Sequence, residues 1–367
     1  MPLRKCRILA IADDMTGALE VGATLAEFGS VVTTATEPDF GRDQQVIVID
    51  TETRHFFSTE AAARIYSIAY AARRLQVDIL YKKTDSTLRG NIGPEINALS
   101  RAYPETPIVF VPAYPRLGRT LRRGHLHVDG EPVHRTAFGQ DALNPVETSY
   151  VPELISDGEV PLHLVDTATR AGRLQPGHVY IYDSETDADV AAVMELALAE
   201  SPLPVFCGPC SVASRLAAAL GGSDAPVPLP LVTRAVVVNG SRHERSEQQV
   251  QFARERGWPI LSPQELLSNP LRPEWTILDV DAPANRLGVI VRDVLRTMRL
   301  DCLVVFGGDT TYSILRSLGA STVIPVCELL PGIPVSRVGH LQLVTKAGGF
   351  GPVDVLPQIR ERLSGGR

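Results

Sequence analysis

The most constraining feature of the sequence is a unit that recurs along it: a short apolar run, a polar or glycine-rich turn, and then a helical segment. In the first half, residues 7–12, 46–50 and 108–111 are mainly apolar runs that each lead into such a turn. The pattern restarts at residues 235–238 and 302–306. Repeated strand, turn and helix is typical of βαβ units, whose strands are mainly parallel. The sequence therefore predicts an α/β protein built on mainly parallel sheets flanked by helices.

The length of the chain and one linker segment indicate two domains. Its 367 residues suffice for about two domains. Residues 221–230 read Gly-Gly-Ser-Asp-Ala-Pro-Val-Pro-Leu-Pro, the clearest linker in the chain. We therefore predict a first domain over residues 1–225 and a second over 232–367. Open α/β sheets bind ligands at the carboxyl ends of their strands, and we expect the active site in the cleft between the two domains.

Charge and apolar run length exclude several classes of protein. The net charge of −6 argues against a nucleic-acid partner, which would require a basic excess. No apolar run approaches the ~20 residues that a membrane span needs, and the apolar segment 8–12 is too short for a signal peptide. Five scattered cysteines do not form a disulfide framework. We predict a cytoplasmic protein without a membrane or nucleic-acid partner, with a homodimer as the default assembly.

The segment 80–95 concentrates charge directly beside an apolar run. Residues 77–81 are predicted to form a strand, and two lysines, an aspartate, three hydroxyls and Arg89 follow within a few positions. Pro94 suits the first turn of the next helix. A solvated loop would explain an isolated set of charges. Here the lysines adjoin the buried strand, so we favour a site for a charged ligand.

A second candidate site follows the first predicted strand. Asp13, Asp14 and Thr16 lie between that strand and a helix predicted over residues 19–28, which ends at Gly29. One of the two aspartates is expected to cap the helix. Two adjacent carboxylates exceed what a cap requires, so we predict a functional role for the other.

Three glycine-rich turns follow strands in the second domain. Glycine lets backbone amides approach an anion, and the amino terminus of a helix adds a favourable potential. The three turns are Asn239-Gly240-Ser241, Gly307-Gly308-Asp309-Thr310 and Gly348-Gly349-Phe350-Gly351. Neither the GxxxxGK[ST] pattern nor GxGxxG is present, which argues against a standard P-loop and a dinucleotide fold. The turns are predicted to hold a nucleotide.

Two further patterns suggest other chemistry. His125, His127 and His134 lie close together in a stretch that breaks the βαβ rhythm, but no carboxylate or cysteine completes a zinc spacing, so no metal site is predicted. Cys207-Gly208-Pro209-Cys210 stands between a strand and a helix, as in dithiol enzymes. A thiol-disulfide enzyme using Cys207 and Cys210 is therefore one alternative.

Four motifs, in order, resemble the four-carbon acid sugar kinase family, whose members phosphorylate tetronates with ATP. The motifs are Ile11-Ala12-Asp13-Asp14-Met15-Thr16-Gly17-Ala18, Lys82-Lys83-Thr84-Asp85-Ser86-Thr87-Leu88-Arg89-Gly90-Asn91-Ile92-Gly93, Gly307-Gly308-Asp309-Thr310 and Lys346-Ala347-Gly348-Gly349-Phe350-Gly351. The resemblance implies a sugar-acid-binding first domain and a nucleotide-binding second domain. It covers nearly the whole chain.

The resemblance implies roles for individual residues. ATP contacts are implied at Ser241, Gly307, Gly308, Asp309, Thr310, Gly348 and Gly349. Sugar-acid contacts are implied at Asp13, Thr16, Lys83, Ser86 and Arg89. We expect Lys83 and Arg89 to hold the substrate carboxylate, and Asp14 and Asp85 to bind its hydroxyls, one of them as the base; sequence does not choose between these two.

Asp309 is expected to position Mg²⁺ or the nucleotide. At Arg242-His243 the family has smaller residues. A non-catalytic sugar-acid sensor is therefore a second alternative, expected if this turn abolishes ATP binding.

Overall fold

The computed structural model describes residues 6–40, 44–141, 143–166, 172–223, 225, 227–268 and 274–365. These form two compact units, one of residues 1–30 and 34–223 and one of residues 31–33 and 224–367. Asp224 and Pro226 of the predicted linker lie outside the described residues. The functional assignment of domains 1–225 and 232–367 stays a prediction, as does the cleft site.

The strands and helices alternate as the sequence pattern indicates. In chain order the strands are β1 (Ile8–Ala12), β2 (Ser30–Thr33), β3 (Val46–Asp50), β4 (Ile79–Lys83), β5 (Ile108–Phe110), β6 (Arg119–Arg122), β7 (His125–Val128), β8 (Glu131–Pro132), β9 (Leu162–Val165), β10 (Val179–Tyr182), β11 (Val205–Gly208), β12 (Ala235–Asn239), β13 (Ile260–Leu261), β14 (Trp275–Leu278), β15 (Cys302–Phe306), β16 (Thr322–Leu330), β17 (Ile333–Val338) and β18 (Leu341–Lys346). The helices are α1 (Met15–Thr24), α2 (Ser58–Arg74), α3 (Ile92–Ala102), α4 (Val151–Ile155), α5 (Asp187–Leu198), α6 (Cys210–Leu220), α7 (Glu244–Glu255), α8 (Pro263–Ser268), α9 (Ala284–Thr297), α10 (Gly308–Ser317) and α11 (Val355–Leu363).

The first unit is built on a parallel sheet with the order β3-β1-β4-β11-β5-β10-β9. Its central strands β1, β3 and β4 are buried along their whole length, as their continuous apolar runs predict. In α2 the buried residues Ala61, Ile65, Ile68, Ala69 and Ala72 recur at helical spacing, so one face packs and the other is exposed. The mainly parallel α/β prediction is confirmed for this unit.

Two element boundaries in the first unit differ from the prediction. The first helix begins at Met15 and ends at Thr24, not at residues 19–28, because Asp14 caps it directly after the strand. A short 3₁₀ turn then leads to Gly29, whose φ of 66° ends the segment. The fourth strand is Ile79–Lys83 rather than 77–81, so both lysines belong to the strand. The stretch 116–150 contains a small antiparallel sheet, β6-β7-β8.

The second unit has a sheet with the order β13-β14-β12-β15-β18-β17-β16. Its first five strands are parallel, whereas β17 pairs antiparallel with both β18 and β16. The sequence pattern did not predict this antiparallel part. The core packs Phe306, Val304 and Val344 of the sheet against Leu356 and Ile359 of α11.

Among the residues described, no helix combines the length and the apolar character needed to cross a membrane.

Candidate active site

The register of the first sheet gathers three strand ends at one edge. Ala12 of β1 pairs with Asp50 of β3 on one side and with Lys83 of β4 on the other. All three strands are parallel, so the polar residues that follow them leave the sheet together. The Asp13-Asp14 turn and the 84–89 turn, which sequence singled out separately, therefore meet at one place.

Arg54 joins the carboxylates of this edge. Its Nε lies 2.7 Å from Asp13 Oδ2, its Nη1 lies 2.9 Å from Asp14 Oδ2, and its Nη2 lies 3.5 Å from Asp85 Oδ1. Arg54 is buried, and three partners compensate its charge. Arg54 is not among the residues predicted from the sequence. The available signal was the polar segment 51–54 directly after an apolar strand, which marks a ligand edge as the other two turns do.

Asp14 is the helix cap of the pair, and Asp13 is the buried member. Asp14 Oδ1 accepts a 3.0 Å hydrogen bond from the amide of Gly17, while its Oδ2 faces Arg54. Asp13 is 1% exposed. Burial acts to raise the pKa of Asp13, but the charges of Arg54 and Lys82 outweigh it and lower that pKa overall. Asp13 is therefore ionised and paired with Arg54, and Asp14 is the more accessible carboxylate.

Asp85 is saturated by hydrogen bonds. Its Oδ2 accepts from the amide and hydroxyl of Thr87 and from the amide and Nε of Arg89. Its Oδ1 accepts from Arg89 Nη2 at 2.9 Å and faces Arg54. Burial would raise the pKa of Asp85, yet Arg89 and Arg54 hold it well below its usual range. A carboxylate bound in this way is a weak proton acceptor and a strong anchor for Arg89.

The two lysines of β4 occupy different environments. Lys82 is fully buried and its Nζ lies 2.9 Å from Glu95 Oε2. Lys83 Nζ donates to the carbonyl of Thr84 at 3.0 Å and lies 3.7 Å from Glu20 Oε2. Burial acts to lower the pKa of Lys83, and Glu20 and the nearby aspartates raise it overall. Lys83 is therefore a cation at neutral pH beside the carboxylate edge.

A second carboxyl pair, absent from the sequence prediction, borders Asp14. Burial, followed by the charge of Asp14, raises the pKa of Asp50 to about 7. Burial and the charge of Asp50 raise the pKa of Glu52 to about 10. Glu52 Oε1 accepts a 3.0 Å hydrogen bond from the amide of Met15. The backbone of Glu52, with φ of 50°, lies in the left-handed region. Burial and mutual repulsion thus favour a shared proton on this carboxyl pair.

The remaining predicted residues of this edge, Thr16 and Ser86, are both buried, at 6% and 5% exposure. Arg89 is more open than Lys83, and its guanidinium faces Asp141 Oδ2 at 3.5 Å and the ring of Phe138 at 5.4 Å. All seven residues predicted to bind or transform the sugar acid lie on the Asp13-Asp14 turn, in the first turn of α1, at the end of β4, or on the 84–89 turn. Their roles stay predictions.

The glycine turns of the second unit also meet at one sheet edge. Asn239, Phe306 and Lys346 are aligned at the ends of the parallel strands β12, β15 and β18. A side chain at Gly240 would clash with Thr310, and one at Gly348 would lie 2.5 Å from Ser241 Oγ. The three turns therefore contact one another closely.

The α10 amino terminus completes this edge. The helix begins at Gly308, immediately after Gly307, whose φ is 107°. Thr310 is buried, and Asp309 is exposed in the first turn. Backbone amides at a helix amino terminus favour an anion, as predicted for this group of residues. The geometry brings together Ser241, Gly307, Gly308, Asp309, Thr310, Gly348 and Gly349.

The geometry does not favour thiol chemistry at Cys207 and Cys210. Both side chains are buried, at 0% and 1% exposure, and both are free thiols. Burial raises the pKa of Cys207 to about 12, so the reactive thiolate is scarce at neutral pH. At the end of β11, the hydroxyl group of Tyr81 donates a hydrogen bond to the carbonyl of Gly208. The motif therefore has a packing role.

The histidines of the 116–150 stretch do not converge. His127 Nδ1 contacts the carbonyl of His125, His134 Nδ1 contacts Ser149 Oγ, and the ring of His125 packs on Tyr150. Within the described ranges, no group of three or more His, Cys, Asp or Glu side chains has a metal-binding arrangement.

Comparison with known proteins identifies both halves. Residues 8–216 match the sugar-binding N-terminal domain, and residues 280–356 match the nucleotide-binding C-terminal domain. A D-threonate kinase of Bordetella bronchiseptica is 30% identical over 96% of this chain and 97% of its own length. The chain belongs to the four-carbon acid sugar kinase family.

Another relative and two solved structures also resemble this chain. A 3-oxo-tetronate kinase of Burkholderia multivorans is 26% identical over 99% of this chain and 98% of its own. A Bordetella bronchiseptica protein, solved as a domain-swapped dimer with bound citrate, is 26% identical with a TM-score of 0.52, covering 99% of both chains. A Haemophilus influenzae protein shares the fold, with a TM-score of 0.72 at 19% identity over 95% of this chain and 98% of its own.

Proposed function

We propose that this protein is an ATP-dependent kinase that phosphorylates a hydroxyl group of a four-carbon sugar acid such as threonate, erythronate or 3-oxo-tetronate. The observation that carries the proposal is the gathering of Asp13, Asp14 and Asp85 on Arg54, beside the cations Lys83 and Arg89. Cations suit a substrate carboxylate, and carboxylates suit its hydroxyl groups. The relatives' names as tetronate kinases support the same substrate class.

The chemistry that we assign to this edge is proton removal and orientation. A substrate hydroxyl oxygen attacks the γ-phosphorus of ATP, the bond to the β–γ bridging oxygen breaks, and ADP leaves. The hydroxyl proton passes to a carboxylate. Asp14 suits this role better than Asp85, because Asp85 is saturated by Arg89, Thr87 and Arg54 whereas Asp14 has one backbone and one Arg54 partner. Arg89 and Lys83 would hold the substrate carboxylate.

The nucleotide would bind to the glycine turns of the second unit. Amides at the α10 amino terminus and the hydroxyl groups of Ser241 and Thr310 suit its phosphate oxygens. The exposed carboxylate of Asp309 fits Mg²⁺ held mainly by phosphate and water, which needs only one or two protein carboxylates. When bound, the ion would neutralise charge on the transferred phosphoryl group.

The test is ADP release from Mg-ATP with a panel of D- and L-threonate, D- and L-erythronate and the 3-oxo-tetronates. Turnover of one acid and not the others would name the substrate. The absence of turnover with every acid would overturn the kinase proposal. Calorimetric binding of an acid without turnover would then favour a sugar-acid sensor.

Replacing Gly240 with alanine should raise the KM for ATP and lower kcat/KM by about 10²-fold, because misplacing a positioning group by near 1 Å can cost that much in rate. The new methyl group would meet the side chain of Thr310, which is short and buried and has little room to move. The matched control is Gly172→Ala, where a methyl group meets no atom of the described residues within 4 Å and φ lies outside the left-handed range. Equal KM values in the two variants would contradict the assignment of the nucleotide to these turns.

A homodimer stays a prediction for this chain. It is supported by the Bordetella bronchiseptica relative, which was solved as a domain-swapped dimer. Light scattering of the purified protein should give twice the chain mass of 39.8 kDa. A mass equal to one chain over the working concentration range would show that the chain is monomeric.

A further inference from the structure

The turn that follows β18, residues 347–352, is held from one side by three side chains. Lys346 Nζ donates to the first two carbonyl groups of the turn, at 2.8 Å each. Ser246 Oγ donates to the second of these, at 2.9 Å. Gln249 Nε2 lies 3.0, 3.1 and 2.9 Å from the carbonyl oxygens of residues 350, 351 and 352. Five carbonyl groups of one six-residue turn are thus drawn toward α7 and Lys346.

All three donors are removed from water. Ser246, Gln249 and Lys346 are each 0% exposed. Burying a polar group costs free energy unless it is hydrogen-bonded, so these contacts with the turn are what keep the side chains in the core. In the described part of the chain, Gln249 Oε1 has no hydrogen-bond partner. The hydrogen bonds from Gln249 Nε2 to the turn therefore account for the burial of this polar side chain.

The other side of the turn faces the remaining nucleotide elements. A side chain at Gly348 would lie 2.5 Å from Ser241 Oγ, and one at Gly349 would lie 3.1 Å from His243 Nε2. Carbonyl oxygens repel phosphate, and backbone amides attract it. Because the buried donors fix the carbonyl groups toward α7, they keep these negative dipole ends away from the Ser241 side.

We infer that Ser246, Gln249 and Lys346 are positioning residues for nucleotide binding, which hold the 347–352 turn with its carbonyl groups directed away from the nucleoside triphosphate. None of the three is expected to touch the reacting atoms. The inference rests on the proposed function, because it assigns these residues to the ATP side of the same reaction.

The experiment uses Gln249→Leu in the full chain, with Gln342→Leu as the matched control. Gln342 is also a buried glutamine whose Nε2 donates to a backbone carbonyl, that of Pro230 at 3.0 Å, and whose Oε1 has no partner among the described residues. It lies outside the glycine turns. The two changes therefore remove the same chemical groups from the core of the same unit.

Gln249→Leu should raise the KM for ATP and the calorimetric Kd for ATP at least tenfold, with the KM for the sugar acid within twofold of wild type. Gln342→Leu should leave all three constants within twofold, even where both variants lower Tm equally. Equal ATP constants in the two variants would overturn the inference. If Gln249→Leu does not fold, Ser246→Ala removes one hydroxyl donor and should raise the Kd for ATP about threefold or more; an unchanged Kd would overturn it.

The direct Kd also separates this inference from the kinase proposal. Wild-type protein that binds ATP but turns over no acid would contradict the proposed reaction. The comparison of Gln249→Leu with Gln342→Leu would still test the positioning role. Wild-type protein that binds no ATP would overturn both.

Discussion

Replacing Asp14 with asparagine should lower kcat by about 10²- to 10⁴-fold, the range of a lost general base, and should leave the fold intact. Asparagine caps helices as well as aspartate does, so the bond from the amide of Gly17 can be kept. The carboxylate that we propose takes up the hydroxyl proton is lost. Steady-state kinetics and thermal unfolding of the same sample would measure both effects.

Asp85→Asn is the comparison that separates the two carboxylates. Asp85 anchors Arg89 through both of its oxygens, so this variant should raise the KM for the sugar acid and lower Tm as well as kcat. Asp14→Asn can keep the bond from the Gly17 amide but loses the one from Arg54 Nη1, so it should lower kcat strongly and lower Tm less than Asp85→Asn does. A near-wild-type kcat in Asp14→Asn would remove the base assignment from Asp14.

The sequence was sufficient to predict two of the three strand ends that form the carboxylate edge. Asp13-Asp14 and the 84–89 turn each follow an apolar strand, and parallel strands present such turns at one edge. Arg54 was not predicted because the polar segment 51–54 marks only a strand end, and the partners of Arg54 follow from the register that sets β3 beside β1. The neighbouring pair Asp50 and Glu52 was missed for a related reason: burial raises their pKa values, and sequence does not reveal burial at a strand end.

In the second unit the strands with their glycine turns were predictable, but the partners of those turns were not. The antiparallel strands β16 and β17 have no helix between them, so the βαβ pattern gives no sign of them. Ser246 and Gln249 read as ordinary polar residues of a surface helix. Their burial follows from the packing of α7 against the 347–352 turn. Local pattern identifies an element, while tertiary contacts decide which of its faces is buried.

Replacing Arg54 with methionine should lower the free energy of unfolding by about 3–5 kcal/mol, the cost of leaving buried charge without its partner. Asp13 is 1% exposed and Asp85 is 7% exposed, and both face Arg54. The control is Arg101→Met. Arg101 also pairs with two carboxylates, Asp157 and Glu159, but its side chain is 50% exposed, so its loss should cost under about 1 kcal/mol.

The pH dependence of this loss has a definite sign. In the wild type, folding lowers the pKa of Asp13 and that of Asp85. The stability that their pairing with Arg54 contributes is therefore fully present above the pKa of an unfolded aspartate, near 3.8. It is lost as the pH falls through the lower pKa values of the folded protein. Without Arg54, burial is the largest influence on Asp13 and raises its pKa. Protonation of Asp13 as the pH falls then removes the unpaired buried charge, which makes the variant less unstable. Urea unfolding at a series of pH values should therefore show the difference between wild type and Arg54→Met shrinking from pH 7 toward pH 4. A difference that is independent of pH over this range would show that Arg54 stabilises the edge by packing alone, and that the carboxylates gathered there do not depend on its charge.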